Sequence, residues 1–447
     1  MKNRIRNIAG IALALSLACC GLSMAESNAA VTDAVQPERS HTEHYQLEKM
    51  VVFSRHNLRA PTRSSSKLIQ QLTPHAWADF NAPTGELTLL GGTQETAMGQ
   101  FFRQYLVSRG LMPENWIPQG NEVRFYSNAY QRTLSTTHYF LTGLLPVANV
   151  EVEYHGAVGE MDPVFKSCMH FISDAYLAEI QAETDALADG AGIEGLFASR
   201  AEDVALLSDT LDYADSEYAM ERGETSISME DKVITYAVGE EPKAAGGLKA
   251  AYSAADALVM QYYAEPDLQK AAFGHDLSWE QWRAIGRVDS MYMKLIYGLP
   301  SVAVNLANPL LKEIRSEMVN EERVFTFFCG HDSNVVPLMV SLGAEGYEVT
   351  ENICEYTPIG CKLVLEKYRG EDGEDYAVFS FVYQTSEKLR ENKPVSLNDP
   401  PVWTELSLRG LEKNADGLYR WDDVVSRFDE AIQAYDELPE DEVEEAA

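Results

Sequence analysis

Met50-Val51-Val52-Phe53-Ser54-Arg55-His56-Asn57-Leu58-Arg59-Ala60-Pro61 is the stretch from which the rest of the chain is read. Its first four residues form an apolar run of the length and composition of a buried strand. Pro61 disfavours helix in the residue before it, so residues 57–60 are loop or extended chain. Two guanidiniums and an imidazole, on Arg55, Arg59 and His56, therefore emerge where a buried strand ends. In open α/β sheets that is where ligands bind.

The same punctuation recurs twice downstream. Residues 122–127 alternate polar and apolar, then give way to helical spacing over 128–144, with Ser127 or Asn128 as the cap. Residues 324–330 are a β-branched and aromatic run followed by His331-Asp332-Ser333-Asn334 and helical spacing over 335–342. Between the first two strands, residues 94–107 repeat apolar side chains at helical intervals (Met98, Phe101, Phe102, Tyr105). Three strand-to-helix junctions imply an α/β fold, a central sheet flanked by helices. Residues 158–305 differ: 174–196, 201–213, 250–263 and 278–296 are rich in helix formers, and they read as a mostly helical inserted cap domain. The α/β domain is then 26–157 and 306–435, with 26–45 a flexible lead and 436–447 an acidic tail expected to be disordered.

The amino terminus sets the compartment. Lys2, Arg4 and Arg6 precede an apolar run over 8–18, and Ser23-Met24-Ala25 offers a small-x-small cleavage site. Residues 1–25 thus read as a signal peptide, and the protein as periplasmic or secreted. The run is too short for a permanent membrane span. Cys19 and Cys20 raise the alternative of a lipoprotein, although neither has small residues at all the preceding positions. Cleavage after Ala25 leaves 422 of 447 residues, more than one simple core ordinarily organises. The chain carries 69 acidic and 36 basic residues, −33 formally, and losing the three leader cations takes it to −36. Such a chain repels nucleic acid and anionic membranes, so neither is an expected partner unless a lipid is attached. An anionic substrate then needs a locally basic pocket working against the global field. Of the cysteines left, Cys168, Cys354 and Cys361 leave pairing open, while Cys329 ends an apolar run and reads as a buried thiol. No Cys-x-x-Cys or His/Cys cluster occurs, so no metal or other cofactor is expected.

The chemistry concentrates in Arg55-His56-x-x-Arg59. Arginine grips phosphate through paired N–H groups and stays charged. Arg132 falls in the first turn of the helix after the second strand, at the same sheet edge, where free backbone N–H groups add to the positive field. Alone, a histidine after a strand is ordinarily structural and an arginine at a helix start is solvated. Together they neutralise a phosphate enough for an imidazole nitrogen to attack it, splitting one hard displacement into two easier ones. His331 would be a further donor to phosphate, and Asp332 the acid that protonates the leaving oxygen. An ordinary aspartate pKa near 4 points to activity at acid pH. The other His-Asp pair, His275-Asp276, precedes a capping box at Ser278-Trp279-Glu280-Gln281 with no strand leading into it, and reads as structural.

Arg55-His56-x-x-Arg59-x-Pro61, with Arg132 and a distant His331-Asp332, resembles the histidine acid phosphatase family. Residues 54–61, 126–133, 161–163, 331–334 and 357–360 are similar to its bacterial periplasmic glucose-1-phosphatase branch, and a looser similarity runs from about 47 to 431. The resemblance implies the histidine phosphatase (phosphoglycerate-mutase-like) fold, whose central sheet is mixed. It also implies His56 as nucleophile, Asp332 as proton donor, and Arg55, Arg59, Arg132 and His331 on the phosphate. Glu241 falls where that branch places a substrate-side glutamate. Asn57 stands where the wider family has glycine, as in the same branch. Leu411 and Tyr419 stand where a cysteine pair would flank the 415–417 turn, so that bridge is absent.

The expected activity is hydrolysis of phosphomonoesters, with the sugar phosphate glucose 1-phosphate as leading substrate. A phytase acting on inositol hexakisphosphate is the alternative, but so many charges call for extra Lys or Arg on the insertion, and 158–305 is acid-rich. A non-catalytic phosphosugar-binding protein is the alternative of another class. It would gain nothing from Asp332 beside an anion.

Overall fold

The structure is a computed structural model, and it describes residues 42, 44–230 and 232–441. The leader read at 1–25, with Cys19 and Cys20, lies outside the described residues. The apolar run around Val52 forms the core of a ten-residue strand, β1 (Gln46–Arg55). The other strands of its sheet are β2 (Val123–Ser127), β3 (Val152–Glu153), β4 (Phe325–Gly330), β5 (Lys362–Arg369), β6 (Asp375–Tyr383), β7 (Val402–Glu405) and β8 (Tyr419–Arg420). Their order is β7-β6-β5-β1-β4-β2-β3, with β8 on β6. The half from β1 to β3 is parallel. From β1 to β7 the neighbours are antiparallel. The sheet is mixed, as the family resemblance implies.

Register then places the chemistry. Arg55 lies opposite Gly330, and Cys329 opposite both Ser54 and Ser127. The carboxyl ends of β1, β4 and β2 are in line, so His56, His331 and Asn128 leave the sheet side by side. The longer helices are α1 (Arg63–Gln71), α2 (Leu89–Ser108), α3 (Gln131–Leu144), α4 (Asp174–Asp185), α5 (Gly246–Ala264), α6 (Trp279–Tyr297), α7 (Pro300–Val319), α8 (Asp332–Ser341) and α9 (Trp421–Asp436), of which α2 and α3 cover one face of the sheet and α7, α8 and α9 the other. Met50 and Val52 pack with Met98, Phe101 and Phe102 of α2 and Phe140 of α3. Val51 and Phe53 point the other way, onto Leu310 and Ile314 of α7, Leu338 of α8 and Phe428 of α9. This two-sided cover is why the central strand β4 is buried along its whole length and apolar but for Thr326, whose hydroxyl donates to Glu317.

Residues 158–305 carry α4 to α6, shorter helices and a two-stranded ribbon, Lys232–Thr235 with Lys243–Ala245. The helix expected over 174–196 is broken, with Ala188 and Asp189 left-handed beside Gly190. α7 runs across residue 305. Residues 437–441, expected as the start of a disordered tail, meet the start of α4: Ser173 Oγ donates to the Pro439 carbonyl at 2.6 Å, and the Ala175 N–H to Asp441 at 3.1 Å. All four cysteines among the described residues are free and buried.

Candidate active site

The three strand ends open on a cavity of about 1110 Å³ whose lining includes His56, Arg59, Arg132, Glu241, His331 and Asp332. Arg55 does not line it.

His56 is 2% exposed, and its Nδ1 lies 2.8 Å from the carbonyl oxygen of Asn57. A carbonyl only accepts, so Nδ1 carries the proton and Nε2 keeps its lone pair. Burial, reinforced by Arg132, His331, Arg59 and Arg55, holds the imidazole pKa well below the usual 6.5. His56 therefore stays neutral into acid solution, as a nucleophile must.

The arginines approach from three elements. Arg59, in the extended segment after β1, is bonded by Nη2 to both oxygens of Asp256 on α5, at 2.9 and 3.2 Å. Arg132, second residue of α3, lies over the Tyr130 ring at 4.7 Å and reaches Nδ1 of His331 at 3.3 Å. Burial, with the repulsion of Arg59, brings its pKa down to about 10. Arg55 pairs with Asp332 at 2.7 Å and donates to the Thr357 carbonyl. The Nε–H groups of Arg55, Arg59 and Arg132 are buried with no acceptor in the protein. Buried donors without acceptors are costly, and the oxygens of an oxyanion are suited to satisfy them.

His331 follows β4. The Asn128 side chain accepts through Oδ1 from the N–H groups of Ala129 and Asp162, at 2.8 and 2.9 Å, which fixes its Nδ2 as the donor 2.6 Å from Nε2 of His331. Both ring nitrogens of His331 thus face donors, Nε2 the Asn128 amide and Nδ1 the Arg132 guanidinium, which fixes the ring at the cavity wall beside Arg132. Asn128 is thus spent, and the cap expected from Ser127 or Asn128 does not form: α3 is entered at Tyr130 without a side-chain cap bond. Asp332 is the first residue of α8. Burial pushes its carboxyl up, but Arg55, Arg59 and His331 outweigh that and hold it below its ordinary 3.8. The expectation of an unshifted donor is corrected on that point. A bound dianion would offset the same cations and return the acid form. Glu241, half-buried at the cavity wall with Tyr297, is shifted up by burial and by Asp332.

Two carboxylates went unread in the sequence. Asp256 lines the cavity, and Asp289 on α6 is 8% exposed, pushed up to about 7 by burial and then by Asp256. Their available signal was an acid inside an otherwise apolar helix stripe, as in Ala254-Ala255-Asp256-Ala257-Leu258. His275 lies elsewhere, 3.5 Å from Asp212, beside the capping box of Ser278 and Gln281.

Residues 46–176 and 257–384 match the histidine phosphatase superfamily (branch 2). A glucose-1-phosphatase of Salmonella typhimurium is 30% identical over 413 residues, 91% of this chain and 98% of that protein. The phytase AppA of Escherichia coli is 28% identical over 392 residues, 83% of this chain and 89% of that protein. Among solved structures, the phytase from Citrobacter braakii superposes with a TM-score of 0.77 at 25% identity, covering 88% of this chain and 98% of that one.

Proposed function

This chain belongs to the histidine phosphatase superfamily, branch 2, and from that premise we propose that it hydrolyses sugar phosphates through a phosphohistidine at His56. It is a phosphomonoesterase of the histidine acid phosphatase kind. The observation that carries the proposal is that His56, with Nε2 unprotonated, lines one cavity with Arg59 and Arg132, two guanidiniums whose Nε–H groups lack acceptors. In the first step Nε2 attacks phosphorus and the ester oxygen leaves with a proton from Asp332, so an alcohol departs and the phosphoryl group stays on His56. In the second, water attacks that group, Asp332 takes back a proton, and inorganic phosphate is released with both residues restored. Arg59, Arg132 and His331 hold the phosphoryl oxygens. Arg55, freed as Asp332 is protonated, adds its charge.

Glucose 1-phosphate is the proposed substrate, and the cavity wall supports a neutral, hydroxylated leaving group. Glu241, Asp256, Tyr252, Tyr292 and Tyr297 can exchange hydrogen bonds with sugar hydroxyls. Phytate, the second reading, is favoured by Arg63, Lys243 and Lys249 in the same wall. But Lys243 is paired with Glu240 at 2.5 Å, and Lys249 faces the charges of Asp256 and Glu241. Initial rates with glucose 1-phosphate, phytate and 4-nitrophenyl phosphate between about pH 3 and 7, the range of an aspartate donor, decide between them. His56→Ala should leave a folded protein without turnover on any of the three. Substantial residual hydrolysis would sink the covalent route.

A further inference from the structure

β5 opens with Lys362, whose side chain is fully buried. Its ammonium donates to Ser54 Oγ at 2.9 Å, Glu95 Oε1 at 2.7 Å and the Gly360 carbonyl at 3.1 Å. Glu95, on α2 and also fully buried, turns its other oxygen to Nδ2 of Asn57 at 2.9 Å. Asn57 is the residue after His56. Its Oδ1 accepts from the Leu58 N–H at 2.8 Å, its own N–H donates to Thr136 Oγ1 at 3.1 Å, and its carbonyl receives the Nδ1 proton of His56. The peptide that holds the His56 proton is therefore gripped on both sides.

The surroundings are shaped to this arrangement. Gly360 has φ +68°, and a Cβ there would lie 2.7 Å from Asn57 Nδ2. On α2, one turn before Glu95, a Cβ on Gly91 would lie 2.5 Å from the Leu58 carbonyl oxygen. A buried Lys–Glu pair adds little net stability, because desolvation offsets the attraction, and apolar residues commonly replace such a pair without loss. An apolar pair cannot present a charged acceptor to the Asn57 amide, and such charge-assisted bonds are about twice as strong as neutral ones.

We propose that Lys362, Glu95 and Asn57 are positioning residues for the nucleophile: the buried ion pair orients Asn57, whose carbonyl keeps the His56 proton on Nδ1 and Nε2 free. The proposal rests on reading His56 as the nucleophile, and none of the three touches substrate.

The test combines kinetics with the ¹⁵N spectrum of histidine-labelled enzyme. The parent should show His56 protonated on Nδ1 alone. Asn57→Gly keeps the backbone carbonyl but removes the amide. Its kcat for 4-nitrophenyl phosphate should fall about tenfold or more, with inorganic phosphate inhibition within about twofold of the parent, and its His56 signals should move toward a tautomer mixture. Since Glu95→Leu alone would strand a buried ammonium, the pair is changed together. Glu95→Leu with Lys362→Met should reproduce Asn57→Gly. Glu95→Gln with Lys362→Met, which keeps an acceptor for Asn57, should recover most of kcat. Parent-like kcat and tautomer in the first two variants would overturn the proposal. So would phosphate affinity lost in step with kcat, which marks a collapsed pocket rather than a misheld nucleophile. Turnover surviving in His56→Ala would instead defeat the nucleophile reading, and would do so independently of these spectra.

Discussion

Replacing Asp289 by asparagine should make the protein more stable at neutral pH and leave acid stability almost unchanged. Asp289 is buried on α6, where Asp256 and Asp332 oppose its charge and Arg55 and Arg59 favour it. Burial dominates, and its carboxyl titrates at about 7 instead of the ordinary 3.8. Between those values the folded chain keeps a proton that the unfolded chain has lost. Stability therefore falls as pH rises through that window and is level above it. At about 1.4 kcal/mol per pH unit the whole fall is about 4 kcal/mol, an upper bound because water reaching the ionised group would relieve it. Asparagine has nearly the same shape and no proton to lose. Urea unfolding followed by the fluorescence of the six tryptophans, at pH 3.5, 5.5 and 8, should show parent and variant together at the lowest pH. The variant should pull ahead by up to about 4 kcal/mol at the highest. A difference that is constant across the three conditions would refute the reasoning, because a packing or hydrogen-bond effect does not follow that titration.

Asp332→Asn should discriminate between leaving groups. General acid catalysis commonly contributes about 10² to 10⁴, and a nitrophenolate needs little of it, so kcat/KM should drop about 10³-fold for glucose 1-phosphate and about tenfold or less for 4-nitrophenyl phosphate. This ratio covers only the steps up to the phosphohistidine, which keeps the later hydrolysis out of the comparison. Equal losses would remove Asp332 from the donor role. A second outcome concerns pH: the donor must be protonated, so rates fall as pH rises through its pKa. Arg55 and Arg59 hold that pKa low in the free protein. Bound phosphate offsets those charges, so the falling limb of kcat should lie at higher pH than that of kcat/KM. Profiles with glucose 1-phosphate that coincide would show that the bound phosphate leaves Asp332 unaffected.

Local signals carried the sheet edge into view. β1, β2 and β4 end where an apolar or alternating run meets a polar residue, so His56, Arg132, His331 and Asp332 could be assigned to one edge without any long-range contact. Partners were hidden by distance along the chain. Asp256 reads as one polar residue in a helix, and its partner Arg59 lies 197 positions away. Glu95 reads as an ordinary charged residue of an amphipathic helix, and its partner Lys362 lies 267 positions away in a stretch with no strand signal of its own among those read. Periodicity says which face of a helix is apolar but not which loop its one buried charge will meet. Asn128 shows the same limit at short range: a residue suited to capping α3 is diverted because His331 and the Asp162 N–H claim its amide. Arg55 belongs to the motif that implies phosphate binding, yet its position depends on Asp332, which no local pattern ties to it.

The charge arrangement also bears on why acid should favour the reaction. A chain of net −33 gathers Arg55, Arg59 and Arg132 at one sheet edge, and two of them are already paired, Arg55 with Asp332 and Arg59 with Asp256. Unit charges about 4 Å apart at an effective dielectric near 20 attract by about 4 kcal/mol, so each pairing takes a sizeable share of what a bare arginine would offer phosphate. Bare arginines would bind product as firmly as substrate, and uniform binding of that kind does not raise kcat. In the proposed cycle the two pairings differ. Asp256 keeps its hold on Arg59 throughout and tempers affinity for product. Asp332 gives up Arg55 when it takes a proton, and that proton is the one the leaving oxygen needs. A single titration thus arms the donor and releases a guanidinium toward the phosphoryl group, which is why lowering pH should raise the rate on sugar esters more than it tightens the binding of free phosphate.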